Sequence, residues 1–363
     1  MLFENPMHSR LSDSPRREPS AIARAIEMMD YARRSPASLG GRGGHKEWLH
    51  FVVLAPGVDL LVNFSCCDEV RPGANHAVLP RLVLLSRTDT WDGDIENFAP
   101  EDAHVEGGRI AFAFADNRLE FRDGSFHLTA ALRERPIAVR LCLKPLTMPV
   151  FVPSTPMLDG PPLHWLVVPR LQTSGVLCVG GRDHVLDGAP AYHDHNWGHF
   201  LWGHDLSWEW GFVLPDDAAV PWCLTFVRLT DRKRTTALEH KLLLWRGTTL
   251  SRSFREGELA VETALAHLPL RSIFKAPRPM ALLVPELAAD VPRHLETHAA
   301  AGSDWLSCRC EPYDVVQVCI PSETDLGVTI FNEVSARAQV RGQIGGEAVA
   351  FAGRSIMEFI RYA

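Results

Sequence analysis

The sequence predicts a mainly β protein of antiparallel barrels or sandwiches, preceded by a helical arm. Apolar and polar residues alternate in many short runs, and turn residues punctuate those runs at regular intervals. No strand–helix–strand alternation interrupts them, which argues against a Rossmann-type domain. With 363 residues, the chain has length for two domains or for one large decorated β domain.

Residues 1–44 read as the arm. Within it Ser20 is placed to cap a helix reaching about Arg34, with Ile22, Ala25, Ile26 and Met29 on one face. Such a helix either packs on the domain or, carrying Arg24, Arg33 and Arg34, makes a peripheral contact with a membrane surface. The run from Gly40 to Gly44 is a flexible join, since no strand precedes it and no Lys-Ser/Thr pair follows. From Glu47 the period becomes two. Strands are expected at 48–54, 59–65, 82–86, 109–114, 118–122, 125–131, 137–143, 164–169 and 175–179. Asp116-Asn117 and Asp123-Gly124 supply hairpin turn chemistry. Further strands are expected at 207–214, 222–230, 241–246, 306–311, 314–320, 327–334, 336–344 and 347–362, and the proline-rich stretch 267–293 reads as a loop with room for a short helix.

Composition narrows the function classes. An apolar fraction of 46% fills a sizeable core, and a formal net charge of −7 gives no overall attraction for nucleic acid. The polar start, broken by Pro6, Pro15 and Pro19, lacks the apolar core of a secretory signal, and no apolar run is long enough to span a bilayer. A soluble, cytoplasmic protein without an obligate protein partner is expected. The eight cysteines follow no disulfide framework, and most lie in apolar runs, as buried reduced thiols do.

The densest chemistry is Tyr192-His193-Asp194-His195-Asn196-Trp197-Gly198. As a strand, it places His193, His195 and Trp197 on one face and Tyr192, Asp194 and Asn196 on the other. Imidazoles exchange protons near neutral pH, and an indole face stabilises a developing carbocation. The same residues also suit a scaffold role, or a His-x-His contribution to a metal site with His199 and His204 nearby. Trp208-Glu209-Trp210 sets two indoles on one face and an acid on the other, with Trp222 in the following strand. Glu47-Trp48-Leu49-His50-Phe51 and Glu358-Phe359 each place an acid near an aromatic ring.

The heptapeptide resembles the signature of the carotenoid 1,2-hydratase (hydroxyneurosporene synthase) family. Glu47 to Phe51 and Gly353 to Phe359 are similar to that family's opening and closing strands. The resemblance implies two tandem lipocalin-like β domains, here 45–204 and 205–363, around a large apolar cavity. It implies a hydrophobic isoprenoid, polyene or polyketide ligand, and no metal or organic cofactor. In the family it covers water-adding enzymes, Diels–Alderase-type cyclases and lipid-binding proteins. Carried over, His195 and Trp197 become catalytic candidates. Where the hydratases carry an aspartate two residues after a tyrosine, this chain reads Trp222-Cys223-Leu224. The proton donor therefore falls to Asp194, Asp205 or Glu209. Tyr192, His193, Asn196, Trp208, Trp210, Trp222, Trp48 and His50 are expected to bind substrate. The expected reaction is protonation of a C=C bond leading to hydration or cyclisation. The alternatives are a pericyclase that shapes a polyene, or a non-catalytic carrier.

Overall fold

A computed structural model of the chain describes residues 20–33, 44–69, 77–155, 163–202, 206–233, 235–263, 273–283, 291–323 and 325–362. Helix α1 (Ala21–Met29) opens it, with the Ser20 hydroxyl accepting from Ala23 N at 3.1 Å. The first sheet comprises β1 (His45–Ala55), β2 (Val58–Glu69), β3 (Ala77–Arg87), β4 (Trp91–Asn97), β5 (Ala103–Val105), β6 (Ala111–Phe114), β7 (Asn117–Arg122), β8 (Ser125–Ala131), β9 (Ile137–Pro145), β10 (Val150–Thr155), β11 (Leu163–Val179), β12 (Arg182–Val185) and β13 (Pro190–His199). The second comprises β14 (Ser207–Pro215), β15 (Trp222–Thr230), β16 (Ala237–Arg246), β17 (Thr249–Arg255), β18 (Leu259–Thr263), β19 (Ile273–Ala276), β20 (Leu295–Ala301), β21 (Asp304–Pro321), β22 (Val328–Ile344) and β23 (Glu347–Tyr362).

Both sheets follow one plan. The first runs β4-β3-β2-β1-β13-β11-β9-β8-β7-β6-β5, and the second β17-β16-β15-β14-β23-β22-β21-β20-β18. In each, two runs of strands are joined where the first strand of the sheet pairs with the last. Among the described strands all pairings are antiparallel except β19 beside β21. This is a mainly β, two-domain lipocalin-like fold.

Alternation sorts the apolar side chains into three layers. On β1, Leu49, Phe51 and Val53 enter the core of the first sheet, whereas Trp48, Val52 and Leu54 face a layer shared between the sheets. On β14, Trp208, Trp210, Phe212 and Leu214 join that shared layer, and Val213 enters the second sheet's own core. A strand buried on both faces carries apolar residues at consecutive positions, as over Phe51–Ala55 of β1 and Phe212–Leu214 of β14. Gly211 on β14 is set by packing, since a Cβ there would lie 2.8 Å from the Phe226 ring.

Two buried polar contacts fix the sheets against each other. Asp59, fully buried on β2, accepts from the hydroxyls of Ser335 at 2.8 Å and Tyr313 at 3.3 Å and from Arg354. Lys46 on β1 pairs with Glu323 at 2.9 Å, and Glu323 also accepts from Trp202 N at 2.7 Å.

Several expected elements differ. Helix α1 stops at Met29 rather than near Arg34, because the chain turns extended at Asp30 and buries that carboxylate. Four expected strands merge into two, β21 and β22; in β21 a register shift between Pro312 and Asp314 relieves the ladder where proline cannot donate. The proline-rich stretch contributes β19 and a turn of helix at Met280–Leu283. The glycine join after Arg33, up to Gly43, lies outside the described residues, as do His204 and Asp205. Among the described residues, no helix is long and apolar enough to cross a membrane.

Candidate active site: an acid-lined cavity between the sheets

Strand β13 lies between β1 and β11, so both faces of the signature are buried. The two faces do different things.

The His193, His195 and Trp197 face looks into the first sheet's side, where the arm meets it. Asp30, at the end of α1, bonds His193 Nε2 at 2.9 Å and His195 Nδ1 at 2.7 Å. His195 Nε2 lies 3.0 Å from Glu47 Oε1, which also accepts from Arg33 N at 2.7 Å. Burial disfavours charge on His195, but its bonds to Asp30 and Glu47 outweigh this and raise its pKa to about 9. Burial likewise opposes ionisation of Asp30, and the two imidazoles overcome it, holding the carboxyl well below its ordinary range. Glu47 is lowered in the same way, chiefly by His195. The result is an imidazolium clamped between two carboxylates. Both nitrogens of His195 are engaged, and the Trp197 face carries the Arg33 guanidinium, 4.0 Å from a ring centroid.

The opposite face of β13 looks into a cavity of about 130 Å³ between the sheets. Asp194 and Asn196 line it, with His50 and Trp48 from β1, Trp208 and Trp210 from β14, Glu333 from β22 and Glu358 from β23. Trp48 and Trp208 stack at 6.0 Å with an interplanar angle of 16°. Asp194 accepts from Tyr192 OH and from Asn196 Nδ2, both at 2.9 Å. Burial dominates these bonds and lifts its pKa to about 7. Glu333 and Glu358 are Cα partners on β22 and β23. Burial, then the neighbouring Glu358 carboxyl, pushes Glu333 well above the ordinary range; burial also raises Glu358, which accepts from the Trp208 indole N–H. Two carboxyls this close share a proton rather than both ionising. None of the three acids makes an ion pair among the described residues. Lys241 also lines the cavity, its pKa lowered to about 8 by burial and next by Arg255.

The structure therefore brings together Asp194, Asn196, Trp48, His50, Trp208 and Trp210 of the residues singled out in sequence. Tyr192 lies beneath Asp194, stacked on Phe212 at 4.3 Å. His193, His195 and Trp197 stand behind the cavity floor. Glu209 and Trp222 face the second sheet's own side: Glu209 pairs with Arg228 at 3.1 Å and Arg361 at 3.7 Å, and Trp222 belongs to that core. Glu333 belongs to no motif in the sequence, and Glu358 reads there only as an acid beside an aromatic ring. Their shared signal is a lone carboxylate inside an otherwise uncharged buried run, as in Ile-Phe-Asn-Glu333-Val and Ile-Met-Glu358-Phe.

Similar structures share this architecture. An AttH-assigned protein from Nitrosomonas europaea superposes with a TM-score of 0.59 at 14% identity, over 90% of this chain and 96% of that one. Kievitone hydratase from Nectria haematococca gives 0.56 at 10% identity, over 91% of each chain. CghA, solved with a small molecule, gives 0.58 at 13% identity over 88% of each. The chain has the fold of these proteins. This shared fold was the one expected from the heptapeptide and its flanking strands. No family model and no curated sequence matches the chain.

Proposed function

We propose that the protein is an acid-initiated hydratase or cyclase acting on a compact unsaturated natural product, terpenoid or polyene in type. One observation carries this: three buried carboxyls, without cationic partners among the described residues, face a single indole-walled cavity. A carboxyl kept protonated by burial is a proton donor at neutral pH. The stacked faces of Trp48 and Trp208 stabilise the carbocation that protonating an alkene creates. The Glu333–Glu358 pair, or Asp194, gives the proton. Tyr192 and Asn196 orient Asp194. His195 and Trp197 act by holding β13 and the arm in place.

The cavity volume supports a ring-sized or isoprene-sized reacting portion, since an engineered cavity of about 150 Å³ takes up benzene. An extended polyene would leave most of its length outside.

The test begins with solvent extraction of the protein from its host and mass spectrometry of what is bound, followed by turnover assays on that compound class. Glu358→Gln and Asp194→Asn should retain ligand affinity within about threefold and lose turnover by about 10²-fold or more. Binding without turnover in the wild type would establish a carrier instead. Turnover indifferent to both acid variants would favour a pericyclase that works by shaping its substrate.

A further inference from the structure

His50 occupies a particular place in the cavity. On β1 it lies directly opposite Asp194 of β13 on one side and Asn63 of β2 on the other. It is 7% exposed, meets the Trp210 indole edge to face at 5.5 Å, and its Nε2 has no hydrogen-bond partner among the described residues. Burial, with the neighbouring His193 adding to it, lowers its pKa to about 3, so the ring is neutral. Two other residues lining the same cavity also carry a buried polar atom without a partner among the described residues, Glu333 at Oε2 and Trp210 at Nε1.

Buried polar atoms in folded proteins are almost always satisfied, and one left unpaired costs about 1–3 kcal/mol. Such atoms gathered on one cavity indicate that a ligand supplies the missing partner. A protonated carboxyl donates and a neutral imidazole accepts. A hydroxyl oxygen can answer both at once.

We infer that His50 and Glu333 form an oxygen subsite that holds a hydroxyl group: the water to be added, or the alcohol it becomes. This deepens the acid-initiated reading and rests on it, directing the reaction towards hydration. A cavity carboxyl transfers its proton to one alkene carbon, leaving a carboxylate and a cation on the adjacent carbon. The water held by His50 forms the C–O bond with its lone pair and passes one proton to Nε2. That proton returns to the carboxylate, so both groups are restored and one water has added across the double bond. A weakly basic imidazole suffices, because a protonated alcohol is a far stronger acid than imidazolium.

The test uses limonene and α-terpineol, which is limonene plus one water, titrated against the full chain by tryptophan fluorescence. The wild type should bind α-terpineol about tenfold more tightly, the worth of one well-made buried hydrogen bond. His50→Phe should abolish that preference while keeping limonene affinity within about threefold. His50→Gln, whose amide oxygen still accepts, should retain part of it. Equal affinities in the wild type, failure of both compounds to bind, or a preference that survives His50→Phe would each overturn the subsite. Because binding is read without turnover, the subsite can stand or fall apart from the acid chemistry. An alcohol preference together with turnover indifferent to Glu358→Gln and Asp194→Asn would sink the proton-donor reading alone.

Discussion

The two faces of β13 solve the problem of buried charge in opposite ways. On one face every ionisable group has a partner: Asp30 and Glu47 clamp His195 within a network of 2.7–3.0 Å bonds, and the Arg33 guanidinium lies beside them. On the other, Asp194, Glu333 and Glu358 have only neutral donors or each other, so burial lifts their pKa values and keeps protons on them. The paired face holds structure, and the unpaired face holds protons ready to move. Residues one position apart in sequence thus belong to different chemistries.

The largest expected effect lies on the proton-bearing face. Glu358→Gln or Asp194→Asn should cut turnover by about 10²–10⁴-fold without lowering thermal stability, because a neutral amide costs less to bury than a shared proton between acids. A melting temperature that falls sharply with turnover would erase the contrast between the faces. Next comes the paired face. Asp30→Ala leaves the His193 and His195 imidazoles buried without the carboxylate that bonds both, and should cost about 3–5 kcal/mol of stability by denaturant titration while ligand affinity in the cavity is kept.

The pH dependence separates the faces further. His195 has a folded pKa of about 9, above its unfolded value near 6.5. Its stabilisation is therefore complete below about pH 6.5 and is lost as pH rises towards 9, a loss on the order of 3 kcal/mol that Asp30→Asn should shrink. Asp194 is also raised, to about 7, so turnover that uses it as the acid should fall as pH climbs through 7. Turnover that rises over that range would exclude Asp194 as donor. The smallest effect belongs to Arg33→Met, which removes the cation over Trp197 and should cost about 0.5–2 kcal/mol, read from the melting temperature.

Much of this was legible in the sequence, because period-two alternation is a local property. The mainly β class, most strands and the division of the signature into two faces follow from it. Which face meets a cavity does not follow, because that depends on what packs opposite. His195 and Asp194 are equally buried, and only the shared layer contributed by β14, β22 and β23 makes one of them part of a site. The Glu333–Glu358 pairing depends on register across a hairpin, and Asp30 meets His193 across more than 160 positions of chain. Neither leaves a mark in local composition. The helix boundary was misplaced for the same reason: helical periodicity continues past Met29, and a distant pair of imidazoles draws Asp30 out of it.

The joining of each sheet at its first and last strands has a consequence for the order in which the molecule assembles and comes apart. His50 and Asp194 face each other across the β1–β13 junction, and Trp210 and Glu358 across β14–β23. Each junction pairs segments about 150 positions apart along the chain, which makes it the slowest contact of its sheet to form. Hairpins such as β2–β3 and β21–β22 do not need either junction and can persist when one opens. In rising urea, ligand binding should therefore vanish before the far-ultraviolet signal of the sheets does, with the cavity unbuttoning along two lines while most of the strands remain paired.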